Sequence, residues 1–568
     1  MKLKTWATQL VCLVASGCIA AISVSATADQ SAAGGTLDLR ITDGTSGAPA
    51  PARVELLDAN GKSYIAKDAL LVGPGYAKRD IPWEGDFEKA KSLLTREVEN
   101  PFTRTTQFYS DGSSTVAVPA GKYRLRVYKG IEFKLGTREI EIRDGEEVAL
   151  DVALDRWANM PAKGWFSSDD HLHISRPVAE LDPLLSKWMQ AEDIHVANLL
   201  QFGTYKAFTA APQYAHGPEG VYREGDYLLV SGQENPRGDF LGHGIILGAH
   251  TPIHFPDEYL LFRKFWEEAR GQGALSGYAH WGMGSEAQTG VALDLPTGLL
   301  DFLEVMECWD ANYDVWYEIL NSGIRMAPTA GTDYGTLPNL PGRERFYTNV
   351  EGPLSVESWL DGIRRGRTFV TNGPMLEFSV DDAGMGGEVV LAKPGTVRVR
   401  AAMRFDPDRD DMFRIEIVQN GVVVKSFPRI GPISEVTCDF VLDVDETCWL
   451  AVRAYGIKKG EFEPPDGYVP PWRNRKRDAP ASLAHSAAIH VTVGGTRDLA
   501  KQDRAKAAAR AWLARLDELE QMLADENLKF IALKDDPYKP DMEYLLKNRP
   551  ALLEAIAKSR EFYRKRTE

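Results

Sequence analysis

Short runs in which apolar and polar residues alternate dominate the first quarter of the chain. Residues 36–41 and 122–128 show this period of two most clearly. Because successive side chains of a strand point to opposite faces, such runs indicate strands with one buried face. Glycine and proline separate the runs, as they do in all-β domains. We therefore predict a β-sandwich over residues 36–158.

The pattern changes between residues 160 and 375, where short apolar runs alternate with stretches of helical period. Alternating strands and helices favour an α/β fold, either a parallel barrel or an open sheet, with functional groups at the carboxyl ends of the strands. The apolar runs predict strands at 194–200, 227–231, 244–247, 275–279, 302–307 and 326–332. The amphipathic stretches predict helices at 178–191, 258–270, 313–321 and 356–365.

Strand-like alternation returns over residues 376–495, which predicts a second β-rich, sandwich-like domain. Residues 496–568 instead place Trp512, Leu516 and Leu519 at helical spacing. We expect a helical tail whose apolar stripe packs on the rest of the protein. The 568 residues are too many for one ordinary domain, so we expect roughly three or four folded units.

The first 28 residues have the pattern of an export signal. Two lysines precede an apolar run at 10–22, and Ala26-Thr27-Ala28 matches a small-x-small cleavage site. This predicts a periplasmic or secreted protein whose mature chain begins near Asp29. Lipid attachment at Cys18 is a weaker alternative, because the apolar run continues past that cysteine.

Charge and apolar content narrow the range of partners. The formal net charge of −15 argues against a nucleic-acid partner, since phosphate binding needs clustered Lys and Arg. After residue 28 no unbroken apolar stretch approaches the roughly 20 residues that span a bilayer, so we expect a soluble mature chain. Cys438 and Cys448 flank a turn-like segment and are compatible with a hairpin disulfide or with two free thiols, of which the thiols are favoured.

Histidines are concentrated in the predicted α/β region. Eight of the ten lie between residues 171 and 280. In a strand, Asp169, His171 and His173 share one face, and two imidazoles so spaced can reach one ion at about 2.1 Å. Glu234 and Asp333 follow predicted strands, as does His280. Ligand types that recur at strand ends indicate a site for zinc, with manganese or iron as alternatives.

This order of motifs resembles the polymerase and histidinol phosphatase (PHP) superfamily. The match runs from Asp169-x-His171-x-His173 through Glu234, Gly242-His243-Gly244 and Ala279-His280 to Gly331-Thr332-Asp333. The closing segment Gly366-Arg367-Thr368-Phe369-Val370-Thr371-Asn372-Gly373-Pro374 is similar to the carbaryl hydrolase-like CehA/McbA branch. Separately, Val118-Pro119-Ala120-Gly121-Lys122-Tyr123 resembles carboxypeptidase regulatory-like sandwich modules.

The PHP resemblance implies a distorted seven-stranded (β/α)7 barrel with a metal cluster at its mouth. It implies that Glu234 bridges two ions. The first ion would also be held by His171, His173 and Asp333, and the second by His243 and His280. Family members carry further histidines for a third ion, where this chain has Asn198-Leu199-Leu200-Gln201 and Asp333-Tyr334-Gly335. We therefore expect one or two ions, with His250 as the competitor of His243.

The function expected from these motifs is hydrolysis by metal-activated water. Asp333 and Glu234 are the expected catalytic residues, Asp169 is expected to orient the imidazoles, and Arg343 and Arg367 are candidates for recognising an anionic substrate. By similarity to the branch, the bond cleaved is an ester, amide or carbamate of a small molecule or a carbohydrate-related compound. A PHP-type phosphoesterase is the first alternative, and a non-catalytic periplasmic binding protein on a degenerate barrel is the second.

Overall fold

The computed structural model describes residues 34–73, 86–238, 240–280, 288–307, 310–337, 339–459, 481–496, 502–532 and 540–567. The export signal predicted for residues 1–28 and the alternative lipid site at Cys18 lie outside this part. Among the described helices, none combines the length and apolar character needed to cross a membrane. The protein is a mixed α/β structure with several sheets.

The N-terminal strands form two sheets around one apolar core. Every second side chain of the first strand is buried, with Leu37, Leu39 and Ile41 at most 2% exposed, as its alternation predicts. The elements are β1 (Gly34–Asp43), β2 (Ala52–Asp58), α1 (Phe87–Ser92), β3 (Val98–Glu99), β4 (Thr106–Ser110), β5 (Ser113–Pro119), β6 (Gly121–Tyr128), β7 (Gly136–Ile142) and β8 (Glu147–Leu154). The sheet orders are β5-β1-β8 and β3-β4-β2-β6-β7.

The central region contains the candidate site and combines strands with intervening helices. Its strands are β9 (Trp165–Leu172), β10 (Val196–Gly203), β11 (Phe208–Ala210), β12 (Tyr222–Glu224), β13 (Tyr227–Gly238), β14 (Gly242–Leu247), β15 (Leu275–Tyr278), β16 (Phe302–Glu307), β17 (Asp310–Ala311), β18 (Ala327–Ala330), β19 (Arg345–Asn349) and β20 (Thr368–Thr371). Its helices are α2 (Asp182–Ala191), α3 (Phe262–Gly271), α4 (Gln288–Asp294), α5 (Asp314–Asn321) and α6 (Val356–Arg364).

Strand pairing in the central region is mixed rather than all parallel, which corrects the expectation of a parallel sheet. β9, β10 and β13 are parallel neighbours, as are β15, β16 and β18. β14 is antiparallel to both β13 and β15. β13 ends at Gly238 and β14 begins at Gly242, and so short a connection cannot make the crossover that parallel strands need. A bridge between Leu172 and Tyr334 links the last residue of β9 to the segment that follows β18.

Part of the C-terminal β-rich region joins the central sheet, whereas four of its strands form a separate sheet. β20 of the central region pairs with a C-terminal strand, Thr371 opposite Ala484, and the joined sheet closes into a barrel. Cys438 and Cys448 are buried free thiols, so the disulfide alternative is wrong. The strands are β21 (Met375–Val380), β22 (Ala383–Gly384), β23 (Glu388–Leu391), β24 (Gly395–Arg404), β25 (Asp410–Gln419), β26 (Val422–Pro428), β27 (Glu435–Val444), β28 (Cys448–Lys458), β29 (Ala481–Ser486) and β30 (Ile489–Val493). The separate four-stranded sheet has the order β22-β21-β24-β27.

The last segment is helical and packs on the central region. It comprises α7 (Asp503–Met522), α8 (Leu528–Ile531) and α9 (Met542–Thr567). The stripe of α7 is buried, with Trp512, Leu516 and Leu519 at 0% exposure. The Trp512 indole donates a hydrogen bond to Ser322 Oγ at the end of α5. The tail therefore extends the core that supports the barrel.

His485 in β29 makes the stability of the folded protein depend on pH. The ring is fully buried and burial lowers its pKa to about 3; its Nδ1 donates to the Ser486 carbonyl and its Nε2 accepts from the Tyr317 hydroxyl. In an unfolded chain the pKa is about 6.5. Because the unfolded state binds the extra proton, stability rises with pH between pH 3 and 6.5, and it is lost as pH falls.

We expect His485→Gln to remove up to about 1.4 kcal/mol per pH unit from the slope of the unfolding free energy between pH 6 and pH 4. Urea denaturation at several pH values, compared between variant and wild type, measures the two slopes. The absolute stability of the variant is not the readout, because the lost hydrogen bonds lower it at every pH. Parallel slopes in the two proteins would contradict the prediction.

Candidate metal centre

Six side chains from five segments of the central region meet in one buried cluster. His171 is the last residue but one of β9, and His173 follows the end of that strand. His280 and Asp333 follow β15 and β18. His243 lies on β14. Glu234 lies inside the longer strand β13 (Tyr227–Gly238) instead of following a strand that ends near residue 231.

The first group of ligand atoms surrounds one point near the carboxyl end of β9. The Nε2 atoms of His171 and His173 are 3.2 Å apart. Glu234 Oε2 lies 3.7 Å from His171 Nε2 and 3.3 Å from His173 Nε2. Asp333 Oδ1 lies 3.5 and 3.1 Å from the same two nitrogens. Atoms bound tetrahedrally at 2.0–2.1 Å from one ion would lie about 3.4 Å apart, so the atoms of His171, His173 and Glu234 could hold one cation, and Asp333 Oδ1 lies beside both imidazoles.

The second group uses the other oxygen of Glu234. Oε1 lies 2.7 Å from His243 Nδ1 and 3.1 Å from His280 Nε2, and the two nitrogens are 3.0 Å apart. Glu234 thus directs one carboxylate oxygen to each group. The side chains of His243 and His280 are 21% and 13% exposed, whereas those of the first group are at most 7% exposed. Solvent therefore reaches the cluster from the second group. The sets His171, His173 and Glu234, and Glu234, His243 and His280, are each geometrically able to hold a metal ion.

Two buried carboxylate oxygens of the first group lack hydrogen-bond partners among the described residues. They are Glu234 Oε2 and Asp333 Oδ1. Arg237 Nη1 lies 3.2 Å from Glu234 Oε2, but that contact does not have hydrogen-bond geometry. A buried carboxylate oxygen left without a partner is costly, so such atoms are normally satisfied. A divalent cation among these atoms would satisfy both of them.

Hydrogen bonds to the outer ring nitrogens turn three imidazoles toward the cluster. His173 Nδ1 donates to the Leu200 carbonyl at 2.9 Å. His171 Nδ1 lies 3.3 Å from both oxygens of Glu304, and His280 Nδ1 lies 2.9 Å from Glu307 Oε1. Contacts of this kind fix the tautomer of a metal-ligating histidine and the direction of its lone pair. They leave Nε2 of each ring facing the predicted ions.

Asp169 does not orient these imidazole rings, which corrects the role predicted for it. Its carboxylate accepts hydrogen bonds from Thr332 Oγ1 at 2.7 Å and from the backbone N–H groups of Thr332, Gly342 and His171. Burial raises the pKa of Asp169 to about 7, against the effect of these bonds. Asp169 therefore anchors the segment that carries Asp333, and it acts on the cluster through the backbone.

The backbone is left-handed at two of the predicted ligands. His280 has φ +69° and Asp333 has φ +48°, in a region that residues other than glycine rarely occupy. The His280 N–H donates to Glu304 Oε2 at 2.8 Å, and the Asp333 carbonyl accepts from the Leu337 N–H at 3.0 Å. Strained conformations of this type persist where surrounding contacts hold them, and they concentrate at functional sites.

The electrostatic environment of the cluster favours a positive charge. Burial lowers the pKa of His280, but the carboxylates of Glu307 and Glu234 outweigh burial and hold that pKa well above its usual value. Burial raises the pKa of Glu234, but Arg237 and His243 outweigh it and keep the carboxyl ionised. For Asp333, His171 and His173 outweigh burial in the same way and lower the pKa to about 2. Glu234 and Asp333 are thus negatively charged at neutral pH.

The two arginines predicted to recognise substrate lie elsewhere. Arg343 is 7% exposed; its Nη1 lies 2.5 Å from Glu344 Oε1 and its guanidinium covers the Phe102 ring. The backbone carbonyl of Arg367 accepts a hydrogen bond from the backbone N–H of Asn349. Asn349 pairs with Trp165, the first residue of β9. That position is roughly 20 Å along the strand from His171. Neither arginine belongs to the metal cluster.

The other histidines of the central region stay outside the cluster. His250, the competitor of His243, is exposed. His195 stacks on Tyr227 with ring centroids 4.9 Å apart, and His254 Nε2 contacts the Thr204 carbonyl. His216 is largely buried, and burial lowers its pKa to about 4. The structure therefore brings together His243, not His250, with His280 and Glu234.

Sequence reasoning missed three residues of the cluster: Glu304, Glu307 and Arg237. Both glutamates occur inside β16, in the run Phe302-Leu303-Glu304-Val305-Met306-Glu307. Acids in an otherwise apolar buried strand need a partner, and this signal was present in the sequence. The Arg237 guanidinium lies 4.5 Å from the Phe202 ring centroid, beside Glu234. Nothing in its local sequence distinguished Arg237 from a solvated arginine.

Comparison with known proteins does not assign this chain to a family. No protein-family model matches the chain, and no curated protein matches it significantly in sequence.

Proposed function

We propose that the protein is a metal-dependent hydrolase with a two-ion site on a PHP-type barrel. One observation carries the proposal: the two oxygens of Glu234 face two separate sets of ligand atoms. Oε2 faces His171, His173 and Asp333, and Oε1 faces His243 and His280. A carboxylate between two clusters of imidazole nitrogens is the donor arrangement of a bridged pair of transition-metal ions, with zinc as the first candidate.

The number of ions that we propose rests on histidines of the family pattern that this chain lacks. Gly335 has φ +103°, and a Cβ at this position would lie 2.7 Å from the His173 carbonyl oxygen. A histidine at residue 335, where relatives in the resemblance hold a third ion, would clash with the backbone. Leu200, in the other departing segment, uses its carbonyl to orient His173. These departures from the family pattern favour two ions over three.

Each part of the cluster has a distinct task in the proposed reaction. When bound, divalent ions supply a nucleophile from water at neutral pH and polarise the scissile oxygen. Glu234 holds the two ligand groups at a fixed separation. The Asp333 carboxylate, whose Oδ1 faces both imidazoles of the first group, would take up the proton released by the attacking water. Substrate approaches past His243 and His280, the more exposed ligands.

The proposed substrate is an ester, amide or carbamate of a small molecule or carbohydrate-related compound. This choice rests on the similarity to the carbaryl hydrolase-like branch. The proposal includes export of the protein, which rests on residues 1–28. Purified protein loaded with zinc, tested on nitrophenyl esters, naphthyl carbamates and nitrophenyl phosphate, distinguishes the reactions. Hydrolysis of the phosphate alone would indicate a phosphoesterase, and full metal loading without any hydrolysis would favour a binding protein.

Metal removal gives a direct prediction. We expect dialysis against a strong chelator to remove close to two equivalents of transition metal and to abolish hydrolysis, because the ligands without ions cannot activate water. Adding zinc, manganese or cobalt back should restore activity. Elemental analysis before and after dialysis, beside the rate measurement, checks both parts. Unchanged hydrolysis by a protein with less than about a tenth of an equivalent of metal would contradict the mechanism.

A further inference from the structure

Glu304 contacts one member of each group of proposed ligands. It lies on β16, and its side chain is fully buried. Both of its oxygens are 3.3 Å from the Nδ1 of His171, which belongs to the first group. Oε2 also accepts a hydrogen bond of 2.8 Å from the backbone N–H of His280, which belongs to the second group. One carboxylate thus restrains a ring in one group and the main chain in the other.

Close packing prevents the Glu304 carboxylate from moving away. Gly331, which follows β18, lies against it: a Cβ at this position would be 2.5 Å from Glu304 Oε1 and 2.6 Å from Asp170 Oδ1. The neighbouring strand end therefore leaves no room for a side chain between itself and these acids. The same carboxylate therefore contacts the ring of His171 and the backbone N–H of the left-handed His280.

Glu307 offers a natural contrast on the same strand. Its Oε1 and Oε2 lie 2.9 and 3.0 Å from His280 Nδ1. Within the described part of the chain its hydrogen bonds reach only this ring, which belongs to the second group. Glu307 is as fully buried as Glu304. The two acids therefore differ in what they contact rather than in burial or residue type.

We propose that Glu304 is a positioning residue that couples the two metal sites. It orients His171 toward the first ion and fixes the backbone from which His280 reaches the second. Glu307 orients His280 alone. This inference rests on the proposed two-ion site. Loss of a partner that orients a metal-ligating histidine costs about 10–100-fold in metal affinity. Removing Glu304 should therefore weaken both sites, whereas removing Glu307 should weaken one.

Cobalt(II) titration of the full-length protein tests this coupling. The visible absorption of bound cobalt reports the ligand geometry, and equilibrium dialysis gives the two affinities. The variants are Glu304→Gln, Glu307→Gln and, as a control, Glu357→Gln, which changes an exposed residue of α6. We expect Glu304→Gln to weaken both cobalt sites by about 10–100-fold and to change both absorption bands. Glu307→Gln should weaken a single site, and Glu357→Gln should match the wild type.

Two outcomes would overturn the inference. The first is wild-type affinity of Glu304→Gln at both sites, and the second is a loss of affinity at one site only. If circular dichroism shows that Glu304→Gln does not fold, Glu304→Asp decides, because it keeps the charge but withdraws the carboxylate by one methylene; it should weaken both sites. Failure of the wild-type protein to bind cobalt would instead overturn the proposed function, and the inference with it.

Discussion

Glu234→Gln is expected to abolish two-ion binding. The amide keeps the shape of the side chain but carries no charge, and only one of its two ends can act as a ligand. Both groups depend on this carboxylate, with contacts of 3.3 Å to His173 Nε2 and 2.7 Å to His243 Nδ1. The loss should exceed the 10–100-fold that removal of an outer hydrogen-bond partner costs. Metal content after equilibrium dialysis against zinc measures the effect, and hydrolysis should fall with it.

The control for this variant is Glu357→Gln, which makes the same chemical change on an exposed helix position. It should bind two equivalents of zinc with the affinity of the wild type. A Glu234→Gln protein that also binds two equivalents with unchanged affinity would contradict the bridging role. Retention of one tight ion with loss of the other would restrict Glu234 to a single site.

Arg156→Met should destabilise the protein by about 3–5 kcal/mol, because it leaves buried acids without their cation. Arg156 lies between the N-terminal sandwich and the central region, 2.7 Å from Glu132 and 3.1 Å from Asp193. Both acid side chains are 0% exposed. The guanidinium also covers the Phe133 ring at 4.1 Å. Urea denaturation at pH 7, followed by tryptophan fluorescence, measures the loss.

A matched control separates burial from the loss of an ion pair as such. Arg40 pairs with Asp151 at 3.8 Å, but these side chains are 75% and 79% exposed. Arg40→Met should therefore change the unfolding free energy by less than about 1 kcal/mol. Equal effects of the two substitutions would show that the buried network contributes no more to the free energy of unfolding than a surface ion pair does.

Strand positions in the central region were predictable because apolar runs there are short and separated by clear breaks. The run at 302–307 corresponds to β16 (Phe302–Glu307), and the helix predicted at 356–365 corresponds to α6 (Val356–Arg364). The antiparallel direction of β14 was not predicted, because a local apolar run does not specify which strands lie beside it. Continuity of the sheet through β20 and β29 depends on contacts between residues more than 100 positions apart, which no local pattern contains.

The ligand cluster was predictable for a different reason. Residues such as His171, Glu234 and Asp333 are unusual at the ends of apolar runs, and their order resembles a known set of motifs. Asp169 has the same spacing, but its carboxylate bonds to the segment around Thr332 and Gly342. Strand periodicity gives the face of a residue and not its hydrogen-bond partner, so the role of Asp169 required the structure.

A crystal structure of the zinc-loaded protein, with anomalous scattering at the zinc edge, tests the central claim most directly. We expect two peaks. The first should lie within about 2.2 Å of ligand atoms of His171, His173, Glu234 and Asp333, and the second within the same distance of Glu234, His243 and His280. Zinc bound elsewhere, or a single peak that Glu234 does not contact, would contradict the bridged two-ion site.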